Sequence, residues 1–202
     1  MRWGAISVKG LTPKGRHGNP GPRIAETPSG VLNCIGLENP GAEHFVTDIL
    51  PELKKYDVPL LANMSAGTVE EFAWMAETLS VDGIAGLEVN VSCPNVESEG
   101  MAFGVDPKVV EQVTKAVRKV TDKPVIVKLS PNVTDIVEIA KAVEAGGGNG
   151  VSLINTLLGM AIDIHRRKPL LGNIYGGLSG PAVKPVALCM VHQVYKLSLI
   201  HI

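Results

Sequence analysis

From residue 58 onward the chain repeats one pattern: a short apolar run rich in β-branched residues, a few polar residues, then a stretch with helical periodicity. VPLLANMS (58–65) precedes TVEEFAWMAETLS (68–80), and IAGLEVNVSC (84–93) precedes DPKVVEQVTKAVRKVTDK (106–123). In the second of these helices Val109, Val110, Val113, Val117 and Val120 fall on one face, which should cover a sheet. PVIVKLSP (124–131) leads into VTDIVEIAKAVEAG (133–146), with Thr134 or Asp135 placed to cap the helix start and Gly146 just past its end. GVSLINT (150–156) follows, then a long loop, and GPAVKPVALCMVHQVY (180–195) is the last helical pattern. Near the start GAISVKG (4–10) is a further strand, ahead of a Pro/Gly-rich excursion and the run VLNCIGLENPG (31–41). Continuous apolar strands alternating with amphipathic helices, with no alternating-polarity hairpins, call for parallel strands covered by helices, an α/β fold. Five such strands cannot close a (β/α)8 barrel, so the pattern leaves an open doubly wound sheet or an incomplete barrel. No G-x-G-x-x-G follows the first strand, which weakens the dinucleotide-binding version, and GGGNG (146–150) reads as a helix stop rather than a phosphate cradle.

With 202 residues, 45% hydrophobic content and a net charge of -1, the chain can build one ordinary domain with a real core. That balance points to neither nucleic acid nor an anionic membrane, and no stretch approaches the roughly 20 apolar residues of a membrane helix. The N-terminal MRWGAISVKG has no signal-peptide pattern, and the expected compartment is the cytoplasm. Cys34, Cys93 and Cys189 are odd in number and form no C-x-x-C pair, so at least one thiol must be free. His17, His44, His165, His192 and His201 lack the spacing of metal ligands, and no metal is expected.

Each strand finishes in polar residues at its C-terminal end: Lys9, Asn63, Asn90 through Cys93, Lys128, and Asn155 with Thr156. Parallel α/β folds place their sites at this end. A single lysine there could snorkel to water, and Asn63 or Asn95 alone could form a turn. Two buried-looking lysines and three asparagines at the same end of successive strands look instead like a rim of donors for a flat, carbonyl-rich, anionic ligand.

GAISVKG, VLNCIGLENPG, LEVNVSCPNV, VKLSPNVTDI, GVSLINT and GNIYGGLSGPAVKP resemble, in order and near spacing, the motifs of the class 1 dihydroorotate dehydrogenases, over roughly residues 4–195. These are flavin enzymes of pyrimidine synthesis that oxidise dihydroorotate to orotate. The runs I-x-V-K-G and N-x-x-G-L-x-N-P look closest to the NAD-linked B type, whose catalytic subunit works with a subunit carrying FAD and an iron–sulfur cluster. The resemblance implies a (β/α)8 barrel, FMN as cofactor, and a homodimer of catalytic subunits joined to that electron-transfer partner. It implies that Cys93 is the base that takes a proton from C5 of dihydroorotate, a role requiring a partly exposed, polarised thiol. Ser92 and the neighbouring asparagines would aid its proton traffic. Lys9 matches a lysine contacting both flavin and substrate, and Lys128 one near the flavin N1/O2 edge. Gly10, Asn63, Asn90, Ile154 and Gly180 match further FMN contacts. Asn33, Cys34, Ile35, Gly36, Leu37, Asn90, Asn155 and Thr156 match the substrate loop and amide donors. Cys34 stands where alanine is more usual, and Cys189 is expected to be structural.

The alignment supplies strands two to six of the family's eight. The phosphate loops belong to strands seven and eight, and 196–202 reads as a non-native tail after a partial FMN-binding domain at 1–195. The chain by itself is therefore expected to bind FMN weakly or not at all and to be poorly soluble. The competing readings are a fumarate-using A-type enzyme, the related pyrimidine-reducing domain of dihydropyrimidine dehydrogenase, and an inactive α/β remnant that keeps the site residues without the phosphate grip.

Overall fold

The computed structural model describes residues 4–92 and 103–197. The chain enters through β1 (Ile6–Ser7) and makes an excursion carrying β2 (Lys14–Arg16), β3 (Ile24–Thr27), β4 (Gly30–Asn33) and β5 (Asn39–Gly41). Short helical turns, α1 (Ala42–His44), a π-helical stretch Phe45–Ile49 and α2 (Leu50–Leu53), return it to β6 (Leu60–Met64). Regular alternation follows: α3 (Val69–Leu79), β7 (Ile84–Asn90), α4 (Pro107–Val120), β8 (Val125–Lys128), α5 (Ile136–Ala145) and β9 (Gly150–Ser152). A second excursion holds β10 (Leu157–Met160), β11 (Ile162–Asp163), β12 (Lys168–Pro169) and β13 (Tyr175–Ser179), before α6 (Lys184–Leu197).

The five parallel strands expected from the sequence pair in the order β1-β6-β7-β8-β9. Strand order equals chain order, with no reversal. A doubly wound sheet must reverse at its switch point, so this sheet is singly wound, an arc of a (β/α)8 barrel. Successive helices pack side by side along it, α3 on α4, α4 on α5 and α5 on α6.

The pleat sorts the side chains. Leu87, Val89, Val125, Val127 and Val151 turn toward the helices and are buried. On the helix side they meet Phe72, Met75 and Leu79 of α3, Val110, Val113 and Val117 of α4, and Ile136, Ile139, Ala140 and Val143 of α5, in one continuous core. Val109 packs on this core only partly and Val120 is exposed, so the valine face of α4 is narrower than the spacing implied. The starts of α3, α4 and α5 are capped: Thr68 accepts from the Glu71 amide (3.1 Å), Asp106 from that of Lys108 (2.8 Å) and Asp135 from that of Val137 (2.8 Å). At the end of α5 the amides of Gly146, Gly147 and Gly148 close back on Ala142, Glu144 and Val143, so GGGNG is a helix stop. The left-handed residue there is Gly147 (φ 83°), one position later than Gly146.

The second excursion, expected as a loop, carries strands. The two excursions join in an antiparallel sheet ordered β10-β13-β4-β3, in which Asn33 of β4 stands opposite Gly177 of β13. These strands are short, and β13 carries two adjacent glycines, so neither periodicity nor β-propensity marked them. At the C-terminus α6 starts at Lys184, after a 3-10 turn at Pro181–Val183, and runs to Leu197, two residues into the segment expected to be a tail. Cys189 is exposed on this helix, which corrects the expectation that it is a structural residue. Among the described residues no helix is long and apolar enough to cross a membrane, and no group of three or more His, Cys, Asp or Glu could hold a metal ion.

Candidate active site

A cavity of about 740 Å³ opens at the C-terminal ends of the parallel strands, a volume within the range of small-molecule sites. Its floor is the sheet face turned away from the helices. Alternation along each strand places Asn63 of β6, Glu88 and Asn90 of β7 and Lys128 of β8 there, with Lys9 and Gly10 just past β1. Its cover is the excursion sheet: Asn33, Cys34, Ile35, Gly36 and Leu37 after β4, and Tyr175, Gly176 and Gly177 of β13. Asn155 and Thr156, following β9, close one side.

The structure thus gathers Lys9, Gly10, Asn33, Cys34, Ile35, Gly36, Leu37, Asn63, Asn90, Lys128, Asn155 and Thr156 around one space. Ile154 and Gly180 do not line it: Ile154 packs on the main core, and Gly180, at φ 107°, lies against Gly30. Cys93 lies outside the described residues, as do Pro94 and Asn95. The lysines are not buried as the strand pattern suggested. Lys9 is exposed and Lys128 half-buried, because both extend into an open cavity and not into the core. Asn63 is a buried strand residue, not a turn former.

The loop after β4 is braced from behind. The Asn19 amide donates to the Ile35 carbonyl (3.0 Å), Asn19 Nδ2 to that of Cys34 (3.0 Å), and Arg23 pairs with Glu38 while also donating to His17 O (2.9 Å). Gly36 sits at φ 79°, and a Cβ there would come within 2.6 Å of the Asn19 backbone nitrogen. Cys34 is buried with Leu32 and Leu171, which accounts for a small apolar side chain at that position.

Glu88 was not singled out from the sequence. Its carboxylate accepts from Ser7 Oγ of β1 (2.8 Å), from Asn63 Nδ2 of β6 and from Ser152 Oγ of β9 (2.9 Å), tying three other strands to β7. Burial, the largest single influence, raises its pKa. The hydrogen bonds from Asn63, Ser7 and Ser152 and the charge of Lys128 together outweigh that and hold the carboxyl below its ordinary value. The available signal was a charged residue two positions before Asn90, hence on the same face of an otherwise apolar strand.

A second network orders the mouth. Asn155 Nδ2 donates to Ser92 Oγ, which donates to Asn90 Oδ1 (2.6 Å), and Asn155 Oδ1 receives the Thr156 amide (2.9 Å). Asn132 bonds the Thr156 carbonyl (3.0 Å) and accepts from the Leu158 amide (2.9 Å), fastening the cover to the floor. The outcome is a cleft with two cationic side chains and several amides of fixed orientation, suited to a flat heterocycle bearing carbonyl and N–H groups. Gly10 leaves room for such a ring, since a Cβ there would stand 2.8 Å from Asn63 Oδ1.

Residues 1–202 match the family model described as dihydroorotate dehydrogenase. Over 194 residues the chain is 59% identical to the protein of Desulforamulus reducens named "Dihydroorotate dehydrogenase B (NAD(+)), catalytic subunit", covering 96% of this chain and 64% of that one. Proteins of the same name from Alkaliphilus metalliredigens (56% over 191 residues, 95% and 63% covered) and Enterococcus faecalis (54% over 197 residues, 96% and 63% covered) are also similar. The chain therefore spans less than two thirds of the length of these relatives. It belongs to the dihydroorotate dehydrogenase family.

Proposed function

We propose that these residues form the ring-binding and proton-abstracting part of a dihydroorotate dehydrogenase that oxidises (S)-dihydroorotate to orotate, of the NAD-linked B type, with FMN as cofactor. The observation that carries this reading is the convergence of Lys9, Asn63, Asn90, Lys128, Asn155 and Thr156, from five consecutive strand ends, on one cavity beside the braced Asn33–Leu37 loop. The reaction removes a proton from C5 and a hydride from C6 of the substrate, and FMN, when bound, would accept that hydride. Cys93 follows directly on Ser92, whose backbone amide and hydroxyl are both held by Asn90 Oδ1 (3.2 and 2.6 Å), so the last described residue before it is anchored at the mouth. In this role the Cys93 thiolate takes the C5 proton.

Lys128 would supply a cation to the bound ring, stabilising the negative charge of its reduced form, and Lys9 would contact both the ring and the substrate. Asn33, Asn155 and Thr156 are in position to hold the substrate's carboxylate and ring carbonyls, and the cover of β4 and β13 would exclude water. Ile154 and Gly180 would contribute through backbone outside the cavity lining. The relatives' name, catalytic subunit, supports an assembly in which a dimer of such chains passes electrons to an FAD and iron–sulfur subunit.

A chimera in which residues 4–195 replace the matching segment of the Desulforamulus reducens relative tests this. It should take up FMN and oxidise dihydroorotate, and Cys93→Ser should lower the rate by about 100-fold or more while FMN remains bound. A rate within about twofold of the parent would overturn the assignment of the base.

A further inference from the structure

Amide side chains look alike at either end, but groups of fixed polarity decide which end faces where. An ionised carboxylate can only accept, so Asn63 must turn its NH2 toward Glu88; the opposite orientation would set a carbonyl oxygen against a carboxylate oxygen. Among the described residues Asn63 Oδ1 accepts no hydrogen bond, and no buried side-chain polar atom lacks a partner, so Oδ1 is open to the cavity. A backbone amide can only donate. The Ser92 amide therefore holds Asn90 by its oxygen (3.2 Å) and leaves Asn90 Nδ2 facing the same space.

We propose that Glu88 is a positioning residue that sets the hydrogen-bond polarity of the cavity floor, turning Asn63 so that Oδ1 faces the ligand and the site selects a ring edge carrying an N–H. Asn90, on the neighbouring strand, offers the complementary donor to a carbonyl. A cyclic imide edge, with N–H beside C=O, satisfies both. This inference deepens the flavin reading above and rests on it for the identity of the ring. Glu88 keeps its charge because Ser7, Ser152 and Asn63 all donate to it and Lys128, the cation whose field reaches it, stands on the adjacent strand. A glutamine here would present both a donor and an acceptor, and Asn63 would lose its preferred orientation.

The test uses the chimera with asparagine side chains labelled for NMR, titrated with FMN and with FMN methylated at the imide nitrogen N3. The Asn63 NH2 protons should exchange with solvent at least about tenfold more slowly than those of an exposed asparagine, and Glu88→Gln should abolish that protection. FMN should bind about tenfold or more tightly than its N3-methyl analogue, since methylation leaves Asn63 Oδ1 unpaired. Glu88→Gln should narrow that ratio severalfold, and Glu88→Gln combined with Asn63→Asp, which restores an acceptor-only group at position 63, should widen it again. An unprotected Asn63 amide in the parent overturns the inference whatever the ligand does, as does equal binding of the two flavins by a parent whose amide is protected. A protected amide in a protein that binds neither flavin overturns the reading under Proposed function and leaves the polarity assignment standing. Amide protection in the parent and the parent's preference for FMN over its N3-methyl analogue need no variant, so a misfolded Glu88→Gln would not spare the proposal.

Discussion

The sheet of parallel strands and the sheet that covers it both wall the cavity, but they are built in opposite ways. β6 to β9 and their helices share one continuous core in which Leu87, Val89, Val113 and Val127 are fully buried. The antiparallel cover has a core of three buried residues, Leu32, Cys34 and Leu171, while Ile24 and Leu158 are each 62% exposed and Ile164 is 77% exposed. The polar floor residues are thus fixed by a dense layer behind them, and the cover is tied by hydrogen bonds, from the Leu158 amide to Asn132 Oδ1 at its rim and from Asn33 to Gly177 within the sheet. Stability resides in one sheet; access to the site is governed by the other.

The widest separation between them should appear in core truncation. Leu87→Ala removes a side chain with no solvent exposure and should cost about 2–5 kcal/mol in urea denaturation of the chimera. Gly36→Ala, in the cover, forces a Cβ onto Asn19 at a left-handed position and should cost about 1–3 kcal/mol, felt locally as weaker orotate binding more than as a lower melting temperature. A global destabilisation equal to that of Leu87→Ala would break the comparison.

The pH response should belong to the floor. Because Glu88 has a depressed pKa in the folded protein, its contribution is complete above the unfolded glutamate value of about 4.3 and is lost as the pH falls through and below it. Glu88→Gln should therefore flatten the fall in stability below about pH 4.5 relative to the parent, and an unchanged acid limb would remove Glu88 from that role. Leu158→Ala, at the exposed edge of the cover, should change stability by no more than about 0.5 kcal/mol.

The same contrast explains what the sequence disclosed. The half-barrel was legible because its central strands are continuous apolar runs and α3, α4 and α5 each carry a cap and a buried face, as in Asp135 with Ile136, Ile139 and Val143. The cover was not legible because its central β4–β13 pairing joins residues more than 140 positions apart through strands as unmarked as YGGLS. Lys9, Asn63, Asn90, Lys128, Asn155 and Thr156 were legible from their place at successive strand ends, whereas the loop Asn33–Leu37 was found through the resemblance to a known family. Ser7 and Ser152 escape a local reading because their importance lies in meeting Glu88 across β1, β7 and β9, and the charge of Glu88 in an apolar strand, though visible, does not name those partners.

The pairing of Asn33 with Gly177 also sets a schedule. Each βα unit of the half-barrel can dock on the one before it as the chain is synthesised, because strand order follows chain order. β4 must wait for β13, and the 144 residues separating Asn33 from its partner take on the order of ten seconds to translate. During that interval the floor can already be in place while the loop Asn33–Leu37 has only the β3–β4 hairpin to lie on. The nascent protein therefore acquires its platform before its roof, and chaperones that shield apolar strands would meet it in that half-built form.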